Sequence, residues 1–214
     1  MIHDLDLGHG TREQIEGYLS ELHGGGRALA DMRAAGTIGA FGCGCNHFAQ
    51  GCDEMARRIA EIADLDYYLI AGGHYTLMDQ QALDVQFPII ESRDMSAVIG
   101  TPLASGMLSG SVPTADGTVY AGTDRRTEEQ QAQIDAIQGV CSRFNVDIKA
   151  AALQFCLAHP RVATIIPGGA NLEQTLENKG LVDAAIPGGL WRGLKEAGCV
   201  RGDAPTPGNA DGRL

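Results

Sequence analysis

Four short segments combine polar or reactive side chains with glycine-rich backbone. They are Ile2-His3-Asp4, Gly42-Cys43-Gly44-Cys45-Asn46, Gly100-Thr101-Pro102-Leu103-Ala104-Ser105-Gly106 and Ile166-Pro167-Gly168-Gly169-Ala170-Asn171. The last runs into a helix start. A Gly-Gly pair opening a capped helix offers free backbone N–H groups to an anion, with the helix dipole behind them. The competing reading is an ordinary turn made easy by glycine. Cys43, Cys45, His47 and Cys52 form a C-x-C-x-H-x₄-C pattern. Alternation on a strand places 43, 45 and 47 on one face. Structural zinc sites use C-x₂₋₄-C spacing, so the pattern argues against zinc and no metal is expected. Taken by itself, His3 so near a terminus reads as a surface histidine.

The elements that must position these segments alternate between strand and helix. Apolar runs predict strands at Met1–Leu5, Thr37–Gly44, Asp66–Ala71, Ala97–Gly100 and Ala163–Ile166. Helical periodicity covers Thr11–Leu22, with Thr11 as N-cap and Gln14 at the capping-box position. Gly24-Gly25-Gly26 breaks it, and a short helix over Arg27–Ala35 stops at Gly36. Further helices are predicted at Cys52–Ile62, Gln80–Ser92 (with Pro88 as a kink or boundary), Thr127–Phe144, Ile148–Ala158, Asn171–Lys179 (ended by Gly180) and Pro187–Ala197. Residues 101–126 form a Gly/Ser/Thr/Pro-rich stretch, long enough to imply a functional loop. Residues 202–214 read as a flexible tail behind a single unit over 1–201.

Five βα alternations imply parallel strands with helical crossovers. A closed (β/α)₈ barrel takes roughly 250 residues, so 214 residues hold either a smaller open sheet or part of a barrel. Ligands in such folds bind at the C-terminal strand ends, where all four segments fall.

Composition narrows the partners. Acidic residues outnumber basic ones by 27 to 16, a net charge of -11, which argues against non-specific nucleic-acid binding. No apolar run is long enough for a transmembrane helix. The N-terminus lacks the basic and apolar regions of a signal peptide. With no export signal, the six cysteines read as free thiols, and a cytoplasmic location is expected.

The four segments, in order, resemble the aldo-keto reductase family, most closely its D-threo-aldose 1-dehydrogenase (L-fucose dehydrogenase) branch. Ile2-His3-Asp4-Leu5-Asp6 is similar to the fourth barrel strand, whose histidine belongs to the catalytic tetrad. Ile38–Asn46 resembles the fifth strand, with Cys45 in place of a serine and Asn46 at the position that holds the nicotinamide carboxamide. Gly73–Gln80 resembles the segment after strand six. Thr101–Gly110 resembles the loop that folds over the cofactor pyrophosphate, which implicates Thr101, Pro102, Leu103, Ser105 and Gly106. Residues 165–178 resemble the adenosine-end signature, which implicates Ile166, Pro167, Gly168, Gly169, Gln174, Glu177 and Asn178. Pro187–Pro207 resembles the C-terminal helix and tail.

The resemblance implies a partial (β/α)₈ TIM barrel of strands four to eight. It implies an NAD(P)-dependent oxidoreductase that oxidises an aldose at the anomeric carbon, with His3 as the catalytic residue present. The Asp, Tyr and Lys of the tetrad are absent from this chain, which starts at the histidine strand. N-terminal truncation by three βα units, about 90 residues at barrel spacing, is therefore expected. Open barrel edges would favour self-association. Relatives that prefer NADP offer a lysine and an arginine where Gly168 and Gln174 stand, so NAD is expected to be preferred. Leu69 stands near a glutamine that many members use on the nicotinamide amide. The alternative is a catalytically inactive product that binds nucleotide or pairs with a partner chain.

Overall fold

A computed structural model describes residues 1–3, 11, 25–46, 57–59, 61, 63–72, 74–109 and 127–208, with backbone alone at 45 and 46. Five parallel strands form one sheet: β1 (Ile2–His3), β2 (Gly42–Asn46), β3 (Tyr67–Ala71), β4 (Ser96–Gly100) and β5 (Val162–Ile166). Each strand pairs with the next in chain order, and the order never reverses. A doubly wound sheet changes direction at a switch point. Monotonic order with helical crossovers is instead an arc of a (β/α)₈ barrel, here partial. In this sheet β1 and β5 are the two edges.

The strands bury alternate residues on their outer side. Cys43, Tyr68, Ile70, Ala97 and Ile99 join the core that the helices cover. The other face is narrow. A Cβ at Gly42 would lie 2.4 Å from the Tyr67 carbonyl and 2.5 Å from its ring. At Gly44 it would lie 2.7 Å from the Leu69 Cβ, and at Gly100 3.3 Å from the Ala71 Cβ. Side chains of β3 therefore lean over glycines of both neighbours. We expect Gly44→Ala to cost about 1–3 kcal/mol, because the clash is with a Cβ and a carbonyl that cannot rotate away. Urea denaturation checks this, and an unchanged midpoint would show that β2 and β3 separate freely.

β2 starts later than its apolar pattern suggests. Residues 25–34 are helical, so Gly25 and Gly26 lie inside a helix rather than in a break. Gly36, at φ 73°, turns the chain out, with Thr37 N–H donating to the Met32 carbonyl. The Asp66 carboxylate then accepts from the Phe41 N–H at 2.8 Å, and Arg33 bonds both Asp64 and Asp66. Burial would lift the Asp66 carboxyl, but Arg33 and the Phe41 N–H hold it below its ordinary range. The predicted Thr11–Leu22 helix lies outside the described residues, apart from Thr11. Of the predicted Cys52–Ile62 helix, residues 57–59 and 61 are described, and they are helical.

Five helices are described in full. They are α1 (Gln86–Ser92), α2 (Glu128–Arg143), α3 (Ile148–Leu157), α4 (Leu172–Val182) and α5 (Gly188–Glu196). The Gln80–Ser92 stretch splits into a 3₁₀ turn at Gln81–Leu83 and α1. Pro88 lies in the first turn of α1, where a missing N–H costs nothing. Thr127 and Gln130 cap α2 reciprocally. α4 continues through Gly180 to Val182 rather than ending there. Trp191 on α5 is buried, as are Cys141 and Cys156.

The packed chain reaches beyond residue 201, where composition alone reads a tail. Ala204 and Thr206 are buried. Lys195 Nζ donates to the carbonyls of Gly202 and Ala204. Buried Gln80 donates to the carbonyls of Thr76, Leu77 and Cys199 and accepts from the Arg201 N–H at 3.0 Å. Residues 209–214 lie outside the described residues. Among the described residues, no helix is long and apolar enough to cross a membrane.

Candidate functional site

The C-terminal ends of β4 and β5 leave the sheet side by side, because Gly100 pairs with Ile166. Two candidate segments therefore start at the same level on adjacent strands. The segment after β4 is tightly wound. Thr101 (φ 52°), Ala104 (φ 50°), Ser105 (φ 54°) and Gly106 (φ 91°) all adopt left-handed backbone. Three of the four carry a Cβ, so this turn stores strain of the kind that concentrates at ligand clamps. Short-range bonds hold it, among them Ala104 N–H to the Thr101 carbonyl and Leu108 N–H to the Leu103 carbonyl. Pro102, Leu103 and Ala104 are buried beneath it. The Thr101 hydroxyl oxygen is buried and has no hydrogen-bond partner among the described residues. A buried unpaired hydroxyl costs free energy, so it is a natural contact for a bound group. Of the predicted 101–126 loop, residues 110–126 lie outside the described residues.

The segment after β5 closes onto the first turn of α4. The Asn171 side chain caps the Gln174 N–H at 2.9 Å, and Gln174 Oε1 accepts from the Ala170 N–H at 2.8 Å. Asn178 is buried, and its Nδ2 donates to the Gly168 carbonyl at 3.0 Å. A Cβ at Gly169 would sit 2.8 Å from Thr175 Oγ1, whereas Gly168 opens onto free space. Glu177 forms an ion pair with Lys149 of α3. Ile166, Leu172 and Leu176 are exposed apolar side chains on this flank. Sequence reasoning places Gln174, Glu177 and Asn178 together, and the structure does bring them into one turn-and-helix unit. Within it, Asn178 and Gln174 shape the backbone.

His3 and Asn46 end β1 and β2 on the other side of the arc. His3 pairs with Gly44, and Asn46 pairs with Ala71 two residues further along. The two residues thus hold the same face of neighbouring strands, one step apart. Leu69 and Ala71 of β3 lie between this pair and the β4–β5 segments. The side chains of Cys45 and Asn46 are outside the described residues. So is the zinc-like pattern, except Cys43, which is fully buried.

Two features escape the sequence reading. The first is Lys149, whose placement at the second position of a helix opposes the dipole and so gives a weak signal. The second is the inner-face glycines, legible as the period-two pattern Gly42-x-Gly44. His74 and Tyr75, open between a site lining and a packed loop, prove buried, with Tyr75 against Phe87 and Phe155.

Comparison with known proteins gives a consistent set. The model of the Aldo/keto reductase family matches residues 2–191. The chain is 32% identical over 200 residues to the pyridoxal 4-dehydrogenase of Microbacterium luteolum, covering 93% of this chain and 56% of that protein. It is 32% identical over 180 residues to a D-threo-aldose 1-dehydrogenase of a Pseudomonas species, covering 84% of this chain and 51% of the relative. Among solved structures, the holo form of the aldo-keto reductase AKR11C1 from Bacillus halodurans superposes with a TM-score of 0.59 at 19% identity, covering 80% of this chain and 54% of that one. The chain spans about half the length of the curated relatives it matches.

Proposed function

The chain belongs to the aldo/keto reductase family, whose members use nicotinamide cofactors, and we propose that it forms the cofactor-holding part of an NAD-dependent oxidoreductase acting on an aldose. The carrying observation is the register match of Gly100 with Ile166. It sets the strained Thr101–Gly106 turn, with its buried unpartnered hydroxyl, beside the open Gly168–Gly169 backbone. An extended dinucleotide fits this donor set, because one turn offers a hydroxyl and backbone to a pyrophosphate and the other offers a helix start.

In this reading Thr101, Pro102, Leu103, Ser105 and Gly106 hold the pyrophosphate. Ile166, Pro167, Gly168, Gly169, Gln174, Glu177 and Asn178 frame the adenosine, and Cys45 and Asn46 flank the nicotinamide. A bound nicotinamide would supply the hydride acceptor for oxidation of a cyclic hemiacetal at its anomeric carbon. His3 would orient the anomeric hydroxyl, whose proton would pass to water as the lactone forms. The pyridoxal 4-dehydrogenase relative makes a non-sugar aldehyde the competing substrate class. The cytoplasm is the proposed location.

NAD is favoured over NADP because neither Gly168 nor Gln174 carries a charge for a 2′-phosphate. Lys149 is already paired with Glu177. Calorimetric titration of the 214-residue chain is expected to show NAD binding at least about tenfold tighter than NADP, the contribution of one lost ionic contact. Equal or tighter NADP binding would reverse the preference. Binding of neither by a folded chain would reject the reading.

A second reading rests on the open edges β1 and β5, beside which Thr164 and Ile166 are exposed. Here the chain binds nucleotide without catalysis, or pairs with a partner chain or its own copy through those edges. Sugar-dependent formation of NADH separates the two.

A further inference from the structure

Lys149 occupies a position that helix stability does not favour. It is the second residue of α3, whose first turn holds no acidic side chain, so its positive charge faces the positive end of the helix dipole. Its backbone is nonetheless fixed, since the Asp147 carboxylate caps the Lys149 N–H at 2.7 Å. The side chain is only 19% exposed and ends on Glu177 Oε1, across the α3–α4 contact. Partly exposed ion pairs contribute little to stability, so stability gives little reason for this arrangement.

The location of Glu177 gives a better one. It lies between Gln174, whose amide oxygen braces the Ala170 N–H, and Asn178, which braces the Gly168 carbonyl. Each neighbour commits one amide atom to the turn, Gln174 its Oε1 and Asn178 its Nδ2. Glu177 is 47% exposed, and its second carboxylate oxygen has no partner among the described residues. It is the charged, half-exposed acceptor of this unit, whereas Asn178 is buried.

We propose that Lys149 is a positioning residue for the adenosine end of a bound dinucleotide. Its ammonium holds one oxygen of Glu177 so that the other accepts from an adenosine donor, the exocyclic amino group or a ribose hydroxyl. This rests on the nucleotide-binding reading above. Without the ammonium, the carboxylate samples several rotamers and part of the adenosine affinity is lost to ordering it.

The test is calorimetric titration of the full chain with NAD, AMP and nicotinamide mononucleotide. Wild type is compared with Lys149→Met, Lys149→Arg, Glu177→Gln and the Lys149→Met/Glu177→Gln double variant, and thermal melts verify that each folds. Lys149→Met is expected to weaken NAD and AMP about five- to tenfold, the effect of one weakened charge-assisted hydrogen bond. Nicotinamide mononucleotide, which lacks adenosine, is expected to be unaffected. The double variant is expected to bind no worse than Glu177→Gln alone, because Lys149 acts through Glu177. Lys149→Arg is expected to keep most of the affinity. NAD affinity within twofold of wild type in Lys149→Met overturns the proposal, as does an equal loss for nicotinamide mononucleotide or a fully additive double variant. Failure of the wild-type chain to bind NAD and AMP overturns the nucleotide reading itself, and the proposal with it.

Discussion

Phe155→Ala is expected to lower the unfolding free energy by about 3–5 kcal/mol, the usual cost of emptying a buried aromatic site. Phe155 is fully buried on α3, with its ring centroid 5.1 Å from that of Tyr75. Tyr75 meets Phe87 of α1 edge-on at 4.7 Å, and Phe87 stacks on His159 at 3.6 Å. One aromatic cluster thus joins α1, α3, the segment after β3 and the turn before β5. The site cannot collapse easily, because each wall belongs to a separately anchored element. The Cys156 thiol donates to the Tyr75 carbonyl at 3.3 Å, and the Gln80 amide ties the same loop to the C-terminal segment. Guanidinium denaturation with paired thermal melts measures the loss. A change below about 1 kcal/mol would mean that the walls close on the cavity. Tyr75→Phe gives the contrast within the same cluster. The Tyr75 hydroxyl is buried without a hydrogen-bond partner among the described residues, and burial pushes its pKa well up. Its removal is expected to be neutral or to stabilise by about 1 kcal/mol. A clear destabilisation would reveal a partner for the hydroxyl.

Much of the site frame is legible from sequence because its signals are local. Thr127 with Gln130 and Asn171 before Leu172 announce helix starts through their own side-chain chemistry, and both caps form. Strand positions follow from short apolar runs, so β3, β4 and β5 fall within one residue of their expected bounds. What escapes is non-local. Gly180 is compatible with a helix end, yet α4 passes through it to Val182, whose helix packs on α3. The packing of Ala204 and Thr206 depends on Gln80, more than a hundred residues earlier. Composition at 202–208 is dominated by glycine, proline and aspartate and cannot register that anchor. Lys149 likewise acquires meaning only once α3 lies beside α4. The left-handed Thr101, Ala104 and Ser105 are invisible to propensity because non-glycine residues rarely adopt that backbone. Such a departure from local rules is expected at functional sites.

Acidification should unfold the same cluster through His159. The imidazole is 5% exposed and stacks on Phe87, and its Nδ1 accepts from the Arg161 N–H at 3.1 Å, so the ring is held neutral. Burial, with Arg161 beside it, pushes the His159 pKa from 6.5 down to about 4. Glu91 approaches Nε2 only at 3.9 Å and is half in solvent, too weak an opposing charge to keep the ring protonated. Tyr75, also against the ring, stays neutral because burial raises its pKa. The sign follows from linkage. Between pH 6.5 and about 4 the unfolded chain binds a proton at this residue and the folded chain does not, so stability falls as pH falls through that window. The loss amounts to roughly 3 kcal/mol and is complete only below about pH 4. Asp66, Asp84 and Asp203 are held below the ordinary carboxylate value of 3.8 by their arginine partners, so their losses come at lower pH and do not mimic the effect. Urea midpoints at pH 7 and pH 4.5 for wild type and His159→Phe measure the term. The wild type should lose stability more steeply than the variant, which keeps the ring stack but has no proton to bind. Equal slopes would mean that His159 is protonated without leaving Phe87, and that the acid response belongs to other groups.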